Sequence, residues 1–295
     1  MELIDGKKVS QDILNRVKIE AADLFAKTGQ KPGLAAILVG DNPASQSYVK
    51  SKIKACQQVN FHSEVLNLPG DISQADLTDR IAAFNADKLF DGILVQLPLP
   101  KHLSEWEAIK SISPSKDVDG LHPENVGKLV LGVDTFLPCT PAGIQELLKV
   151  YQIPTEGRHL VVIGRSNIVG KPIANIMLQK KQFANSVVTV CHSASKDLKS
   201  ITRSADILVA AIGVADFVKA DMVKPGVAVI DVGINRVPDS SPKGYKIKGD
   251  VDFEEVAPIA SFITPVPGGV GPMTIAMLIS NTLKSFKIKM NLNGK

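Results

Sequence analysis

Short, continuous apolar segments alternate with helix-like segments along this chain, and this alternation constrains its fold more than any other feature. Seven apolar segments occupy residues 34–40, 63–69, 91–100, 160–166, 186–193, 205–213 and 227–233. Between them, apolar residues recur three and four positions apart, as in the helix predicted from Ser10 to near Gly29. Buried strands separated by helices are typical of parallel β-sheets, so we predict an α/β fold.

The predicted strands form two groups, separated by a segment of different character. Residues 110–141 are rich in Pro, Gly and Asp and have little periodicity, so we expect an irregular segment that is functional or a linker. Helices are predicted from residue 141 to about Tyr151 and from Pro272 onward. A chain of 295 residues suits two domains, and the four strands of the second group favour a doubly wound nucleotide-binding domain.

Composition excludes several classes of protein. The 34 Lys and Arg residues nearly balance 30 Asp and Glu, and no basic run concentrates the net charge of +4, which argues against nucleic-acid binding. No segment approaches the roughly 18 apolar residues of a membrane span, and the opening residues predict folded structure rather than a signal peptide. Cys56, Cys139 and Cys191 form no CxxC pair, so neither disulfides nor zinc is expected. We expect a soluble cytoplasmic protein without a membrane partner.

The segment VVIGRSNIVGKP predicts a nucleotide-binding turn. Gly164 ends a buried strand and Gly170 begins the next helix, where free amides and the helix dipole favour a pyrophosphate. Ser166 occupies the second glycine position of G-x-G-x-x-G, where a side chain hinders close approach of the backbone to the ligand. The motif is weak on its own, and an ordinary glycine in a βα turn remains the alternative.

The end of the following strand bears on the choice of cofactor. NAD-binding domains usually place Asp or Glu there for the ribose hydroxyls, but this strand ends in CHS with no acid before Asp197. Arg165, His192 and Ser193 can instead hydrogen-bond to a 2′-phosphate. We therefore predict NADP rather than NAD, with a polar strand end that binds no ligand as the alternative.

A lysine on a predicted helix is the leading candidate for chemistry. Tyr48 and Lys52 are four residues apart and share one helix face, whereas Lys50 and Lys54 point away from it. Lys52 is expected at the edge of the buried face, where a lysine can carry protons near neutral pH; simple solvent exposure is the alternative. Tyr-x-x-x-Lys also occurs in short-chain dehydrogenases, but there it follows the glycine motif, and here it lies far upstream of Gly164.

Further polar residues lie where ligands bind α/β sheets. Gln96 ends the predicted strand GILVQ, and ligands gather outside the carboxyl ends of parallel strands. Asp119, in KDVDG, offers a carboxylate for paired hydrogen bonds to an amino-substituted heterocycle. Asp117 and Asp119 have no third acid nearby, so no metal is expected. His122 and Cys139 lack an identifiable catalytic partner, so we expect structural roles for both.

The segment PVPGGVGPMT, residues 265–274, combines three glycines with three prolines. Such a composition predicts a loop with special backbone angles that can approach a flat ligand closely. A simple turn would not require so many residues of both kinds.

Together, YVKSK, VQLPLP, KDVDG, PCTPAG, VVIGRSNIVGKP and PVPGGVGPMT resemble the methylenetetrahydrofolate dehydrogenase/cyclohydrolase family, in order and over nearly the whole chain. The resemblance implies two domains: an N-terminal α/β folate domain, residues 1–141, completed by the C-terminal helix in residues 272–295, and a Rossmann-like NADP-binding domain, residues 142–271. The family commonly forms homodimers, so a homodimer is expected. Tetrahydrofolate derivatives are the implied substrates, within one-carbon metabolism that includes purine biosynthesis.

The resemblance also implies roles for individual residues. The catalytic set comprises Lys52, Tyr48, Gln96 and Asp119, with Gln96 tuning the lysine. The substrate-binding set comprises Tyr48, Leu97, Pro98, Asp119, Pro267, Gly268 and Gly271. The NADP-binding set comprises Thr140, Gly164, Arg165, Ser166, His192, Ser193 and Ile234.

The implied chemistry has two steps. Hydride transfer to NADP⁺ oxidises 5,10-methylenetetrahydrofolate to the methenyl form, and water then opens the ring to 10-formyltetrahydrofolate while Lys52 and Gln96 relay protons. The substrate nitrogen lone pair expels the hydride, so Lys52 should matter more for hydrolysis than for oxidation. Two alternatives stay in view. A short-chain or shikimate-type dehydrogenase is disfavoured by the motif order, and a non-catalytic folate or nucleotide sensor by the complete chemical set.

Overall fold

The computed structural model describes residues 1–240 and 244–292, and these divide into two compact units. The six-stranded unit comprises Met1–Ser10 and Thr140–Thr274, and the three-stranded unit comprises Gln11–Cys139 and the residues from Ile275 onward. Each unit contains a parallel β-sheet with helices. The predicted two-domain α/β fold class is therefore confirmed.

Most strands are short and lie where apolar segments predicted them. In the described residues they are β1 (Glu2–Leu3), β2 (Gly33–Val39), β3 (His62–Leu68), β4 (Gly92–Val95), β5 (His159–Ile163), β6 (Val187–Cys191), β7 (Ile207–Ala210), β8 (Ala228–Asp231), β9 (Asn235–Pro238), β10 (Tyr245–Lys248) and β11 (Phe262–Ile263). The helices are α1 (Gly6–Thr28), α2 (Pro43–Gln58), α3 (Gln74–Ala86), α4 (Glu105–Ser111), α5 (Pro123–Val130), α6 (Cys139–Val150), α7 (Gly170–Met177), α8 (Leu198–Arg203), α9 (Phe253–Val256) and α10 (Val270–Lys289). The predictions did not include β1, β11 or the antiparallel hairpin β9–β10.

The sheet of the six-stranded unit has the order β1-β11-β8-β7-β5-β6, and every neighbouring pair is parallel. The chain runs from β5 to β6 on one side and then returns to β7 on the other side of β5. The topological switch point, where open α/β sheets bind ligands, therefore lies between β5 and β7. Buried aliphatic side chains on one face, including Val161, Leu208 and Val229, form the core.

The sheet of the three-stranded unit has the order β3-β2-β4 and is parallel throughout. Strand β2, whose residues are all buried, is central, so the switch point of this sheet lies between β2 and β4. Helix α2 begins directly after β2 because the Asn42 side chain accepts hydrogen bonds from the amides of Ala44 and Ser45, and Pro43 suits the first helical position.

Part of the predicted irregular segment is helical. Helix α5 begins at Pro123, and the Nδ1 atom of His122 accepts a hydrogen bond from the Glu124 amide at 3.1 Å. The expectation of an irregular stretch was wrong here because an eight-residue helix gives too little periodicity to recognise. The expected structural role of His122 is confirmed. Helices α1 and α10 also begin earlier than predicted, at Gly6 and Val270.

The compact units differ from the predicted division most clearly in the first ten residues. The prediction grouped them with residues 11–141, but β1 pairs with β11 in the six-stranded sheet. The start of α1 also packs closely, since a Cβ at Gly6 would lie 1.8 Å from the Gly269 oxygen, and the Lys7 amide donates to the Gly268 oxygen at 2.9 Å. Both contacts join residues distant in sequence, which local patterns do not reveal.

Candidate functional site

Lys52 lies on α2 with its side chain turned into the three-stranded unit. It is only 8% exposed, and its Nζ donates a hydrogen bond to Oε1 of Gln96 at 3.0 Å. Lys50 and Lys54 on the same helix are exposed, so the predicted orientation of the three lysines is confirmed. Tyr48, one turn before Lys52, is 41% exposed. Lys52 is thus a buried lysine held by a named partner.

Gln96 holds its position through both its backbone and its side chain. It directly follows β4, and its amide continues the sheet by donating to the Ile37 oxygen of β2 at 2.9 Å. Its Nε2 donates to the Leu97 oxygen at 2.6 Å, which orients Oε1 toward Lys52. The peptide between half-buried Leu97 and exposed Pro98 is cis. Gln96 therefore lies at the switch point between β2 and β4, as predicted from its place at a strand end.

Cys139 lies among the charged groups of this unit. Burial raises the pKa of its thiol well above the usual value, and the nearby Asp119 carboxylate raises it further, while the Lys52 ammonium acts in the opposite direction. The thiol donates to the Val118 oxygen at 3.4 Å. Asn281 of α10 donates to the same oxygen at 2.8 Å, so Cys139 has the expected structural role. Asp119 and Lys52 both act electrostatically on this one thiol.

The loop that carries Asp119 is organised by an acid outside the predicted site. Asp117 is buried and accepts hydrogen bonds from the His122 amide at 2.8 Å, the Leu121 amide at 3.2 Å and Nδ2 of Asn125 at 2.8 Å. Burial raises its pKa, and these hydrogen bonds lower it. Asp117 therefore shapes the loop, while the Asp119 side chain stays partly accessible.

The glycine turn after β5 is tightly packed in the six-stranded unit. Gly164 has φ of +124°, and a Cβ there would lie 2.2 Å from the Ala211 oxygen, in the segment that follows β7. Ser166 differs from the expectation of free amides, because its Oγ accepts from the amides of Val169 at 3.1 Å and Gly170 at 3.3 Å. The residue in the second glycine position thus caps α7 and leaves these two amides paired.

The turn after β5 lies beside the end of β6. The Gly164 amide donates to the Cys191 oxygen at 2.9 Å, so the residues that follow the two strands are neighbours. Arg165 and Ser193 are exposed. His192 accepts at Nδ1 from the Ala194 amide at 3.2 Å, which leaves the proton of the neutral ring on Nε2. The structure therefore gathers the residues predicted for a 2′-phosphate at one edge of the sheet.

The remaining predicted residues of this unit form two contacting pairs. The hydroxyls of Thr140 and Thr274 are 2.8 Å apart. A Cβ at Gly271 would lie 3.8 Å from Cδ1 of Ile234, so this glycine leaves room beside an isoleucine that is largely exposed.

The loop at residues 265–270 has the special backbone that its composition predicted. The peptide between Val266 and Pro267 is cis, and Gly268 has φ of +113°. The Gly269 amide donates to the Pro265 oxygen at 2.8 Å and closes the turn. Pro267 and Gly268, predicted to bind substrate, belong to the six-stranded unit, whereas Tyr48, Leu97, Pro98 and Asp119 belong to the other unit.

Two buried acids near the ends of β7 and β8 were missed by the sequence analysis. Asp231 accepts from the amides of Gly233 at 2.9 Å, Asp250 at 2.8 Å and Val251 at 2.9 Å. Burial raises its pKa to about 6, against the lowering effect of these amides. The Asp250 carboxylate in turn accepts from the segment after β7. An acid inside the otherwise apolar segment VAVIDVG was the signal that could have revealed this network.

The helices themselves also bear on membrane insertion. Among residues 1–240 and 244–292, no helix combines the length and apolar character that crossing a bilayer requires.

Two family models match the chain in succession. Residues 4–119 match the catalytic domain of tetrahydrofolate dehydrogenase/cyclohydrolase, and residues 138–290 match the NAD(P)-binding domain of the same family. The second match contains the glycine turn and the buried acids described above. The first contains Lys52, Gln96 and Asp119.

Relatives and solved structures agree with these matches over the whole chain. The bifunctional protein FolD of Chlorobium phaeobacteroides is 57% identical, covering 99% of this chain and 100% of its own. The crystal structure of the bifunctional enzyme FolD from Campylobacter jejuni is 52% identical, with a TM-score of 0.93 and coverage of 98% and 99%. The FolD structure from Trypanosoma brucei, solved with NADP and an inhibitor, is 39% identical, with a TM-score of 0.92 and coverage of 98% of each chain. The chain therefore belongs to the tetrahydrofolate dehydrogenase/cyclohydrolase family.

Proposed function

We propose that this enzyme oxidises 5,10-methylenetetrahydrofolate to 5,10-methenyltetrahydrofolate with NADP⁺ and hydrolyses the product to 10-formyltetrahydrofolate. Family membership over both domains supports the pair of activities. The single observation that carries the chemistry is the hydrogen bond of 3.0 Å from buried Lys52 to Gln96 at the switch point of the three-stranded sheet.

Lys52 handles protons during the hydrolysis. Water that adds to the methenyl carbon must lose a proton, and ring opening must return one to the departing nitrogen. A lysine that is held in place by Gln96 and largely shielded from bulk water is suited to carry both protons. Gln96 positions the ammonium, since its own amide is fixed by the bond to the Leu97 oxygen.

The folate is held by groups from both predicted sets. The partly accessible Asp119 carboxylate can accept paired hydrogen bonds from an aminopterin ring, and its loop is shaped by Asp117. Tyr48 offers an exposed ring for packing against the folate. Leu97, Pro98, Pro267, Gly268 and Gly271 complete the proposed substrate-binding set, and the two glycines leave the backbone open to a flat ligand.

The residues at the switch point of the six-stranded sheet fit a nicotinamide dinucleotide. The clash that a Cβ at Gly164 would make with Ala211 supports a turn that only glycine can form, at the edge where such ligands bind. Thr140, Gly164, Ser166 and Ile234 would line the cofactor. Bound NADP⁺ supplies the acceptor for the hydride that leaves the bridging methylene.

NADP is favoured over NAD by the groups beside this turn. Arg165 and Ser193 are exposed, and the Nε2 proton of His192 is available as a donor. Asp197, the first acid after β6, is used to cap α8 through the Ser200 amide and does not take the place of a ribose-binding carboxylate. Cationic and neutral donors at this edge suit a 2′-phosphate.

The remaining proposals concern the setting of the enzyme. A homodimer is supported by the edge strand β6, whose exposed Val187 and Val190 would be covered by pairing with a second copy. A cytoplasmic location is supported by three free, buried cysteines. The mild net charge of +4 supports the absence of a nucleic-acid partner. A role in one-carbon metabolism, including purine biosynthesis, follows from the proposed product.

The direct test supplies 5,10-methylenetetrahydrofolate with NADP⁺ or NAD⁺ and follows reduced nucleotide, methenyl formation and methenyl decay. We expect turnover with NADP⁺ and faster decay of the methenyl form than in buffer alone. No reduced nucleotide from either cofactor would refute the oxidation, and decay at the rate in buffer would refute the hydrolysis.

A further inference from the structure

The Asp250 side chain is fully buried and surrounded by donors from one short segment. Its Oδ2 accepts from the amides of Ile212 at 2.6 Å and Gly213 at 2.9 Å, and its Oδ1 accepts from the amide of Val214 at 3.0 Å. A carboxylate that accepts from three consecutive amides fixes the conformation of that segment, because each amide would otherwise lose its acceptor in a partly buried place.

The same carboxylate holds a second segment. Its Oδ1 also accepts from Nδ2 of Asn235 at 2.9 Å. Gly233 packs directly against it, since a Cβ there would lie 2.2 Å from this oxygen. Gly233 and Asn235 flank Ile234, which belongs to the proposed NADP-binding set. Asp250 thus ties residues 212–214 to residues 233–235.

Both tied segments lie at the carboxyl edge of the six-stranded sheet. Residues 212–214 follow β7, and residues 233–235 follow β8. Ala211, which leads into the first segment, is the residue that a Cβ at Gly164 would strike. The first segment is therefore continuous with the wall of the nucleotide turn at the switch point between β5 and β7.

Asp250 is itself held from below by the sheet. Its amide donates to Oδ1 of Asp231 at 2.8 Å, and the Val251 amide donates to Oδ2 of Asp231 at 2.9 Å. Asp231 is the last residue of β8, so the sheet fixes the backbone of residue 250, and its carboxylate then fixes the two segments. The order of support runs from strand to acid to loop.

We propose that Asp250 is a positioning residue for the nicotinamide cofactor, which it serves by holding residues 212–214 and Ile234 in the conformation that binds NADP. This inference rests on the proposed binding of NADP and extends it to a residue that acts through the loop. Loss of the carboxylate should weaken nucleotide binding and leave the hydrolysis of methenyltetrahydrofolate unchanged, because the residues proposed for hydrolysis lie in the three-stranded unit.

The test compares Asp250→Asn with Asp206→Asn. The first substitution keeps the size of the side chain but presents an amide donor where backbone amides now donate to a carboxylate. Asp206 is the matched control because it also accepts a backbone amide, that of His159 at 2.9 Å, but at the amino edge of the same sheet. The measurements are the Kd for NADPH by fluorescence titration, KM and kcat for NADP⁺, and methenyl hydrolysis without nucleotide.

For Asp250→Asn we expect Kd and KM to rise about tenfold, kcat at saturation to change less than about threefold, and hydrolysis to stay within about twofold. Asp206→Asn should leave Kd and KM within about twofold. Unchanged Kd and KM in Asp250→Asn, or an equal rise in both variants, would overturn the proposal. Failure of the wild-type protein to bind NADPH would instead refute the proposed function.

A second variant covers the case in which Asp250→Asn does not fold. Asn235→Ala removes one donor to the carboxylate and leaves Asp250 with its three amides. We expect this variant to hydrolyse the methenyl substrate normally and to raise the Kd for NADPH about threefold. A Kd equal to that of the wild type in folded Asn235→Ala would overturn the proposal.

Discussion

The two units place their functional groups at the same topological position but build them from different parts of the chain. In the three-stranded unit, the groups at the switch point are side-chain atoms, Nζ of Lys52 and Oε1 of Gln96. In the six-stranded unit, the corresponding position is formed by backbone, with Gly164 against the Ala211 oxygen. One sheet thus presents a titratable group, and the other presents a shaped surface.

This difference teaches how each site can fail. A side-chain site fails when the reacting group is removed, even if the fold is unchanged. A backbone site fails when atoms are added, or when the groups that hold the backbone are lost, as with the Asp250 carboxylate. Because the two proposed activities depend on different units, each class of variant should separate oxidation from hydrolysis in its own direction.

The largest effect is expected for Lys52→Met. Removing the proton carrier should lower the rate of methenyl hydrolysis about 10²- to 10⁴-fold, the range that general acid–base groups contribute. Oxidation should fall less, because no proton transfer is needed to expel the hydride. Methenyl decay and NADPH formation, followed separately by absorbance, measure the two effects.

Lys54→Met is the matched control for this lysine. Lys54 lies on the same helix and is exposed, so its loss should change either rate less than about twofold. Equal losses of oxidation and hydrolysis in Lys52→Met would contradict the role of a proton carrier for hydrolysis and point to a general defect in folate binding.

Gly164→Ala should give the largest effect in the other unit. The added Cβ would lie 2.2 Å from the Ala211 oxygen at a residue with φ of +124°, so the turn must shift. We expect the Kd for NADPH to rise about 10- to 100-fold, as overpacking by one methyl group allows, with hydrolysis retained. Gly157→Ala also has a positive φ but no atom near the added Cβ, and it controls for backbone strain alone. Equal Kd values for the two variants would contradict a specific role of the turn.

Arg165→Ala should change the choice of cofactor more than the rate of either step. Loss of a charge-assisted hydrogen bond to the 2′-phosphate should lower kcat/KM for NADP⁺ about tenfold and leave that for NAD⁺ nearly unchanged. Arg158→Ala, an exposed arginine just before β5 at the opposite edge of the sheet, is the control. A parallel loss with both nucleotides would remove Arg165 from the 2′-phosphate site.

The smallest effect is expected in the pH dependence of stability. The folded pKa of Asp231, about 6, lies above the ordinary value of 3.8, so the folded protein holds this proton more tightly. The resulting stabilisation is present below about pH 4 and is lost as the pH rises through about 6. The apparent Tm of the wild type, relative to Asp231→Asn, should therefore fall by a few °C over this range, roughly 1–3 kcal/mol.

The comparison with Asp231→Asn isolates this one group. Asp91 and Asp117 in the three-stranded unit also have pKa values raised by burial, and they contribute the same pH trend to both proteins. A difference in Tm between wild type and variant that stays constant from about pH 4 to pH 7 would show that Asp231 titrates at its ordinary value.

Much of the fold followed from local pattern. Continuous apolar segments predicted the strands of both sheets, apart from the short or exposed ones, because burial on both faces leaves no polar position in a parallel strand. Four-residue spacing predicted which face Lys52 shares, and a strand end predicted where Gln96 lies. These properties depend on neighbours a few residues away, so the amino-acid order was sufficient to infer them.

Other features depend on contacts between distant residues, and no local pattern encodes them. The pairing of β1 with β11 moved the first ten residues into the six-stranded unit, and the Ser166 hydroxyl took amides that were expected to be free. The order of the strands set both switch points, and the hydrogen bonds of Asp231 and Asp250 arose only when four segments met. Periodicity reveals which side of an element is buried, but it does not reveal which partner the buried group will contact.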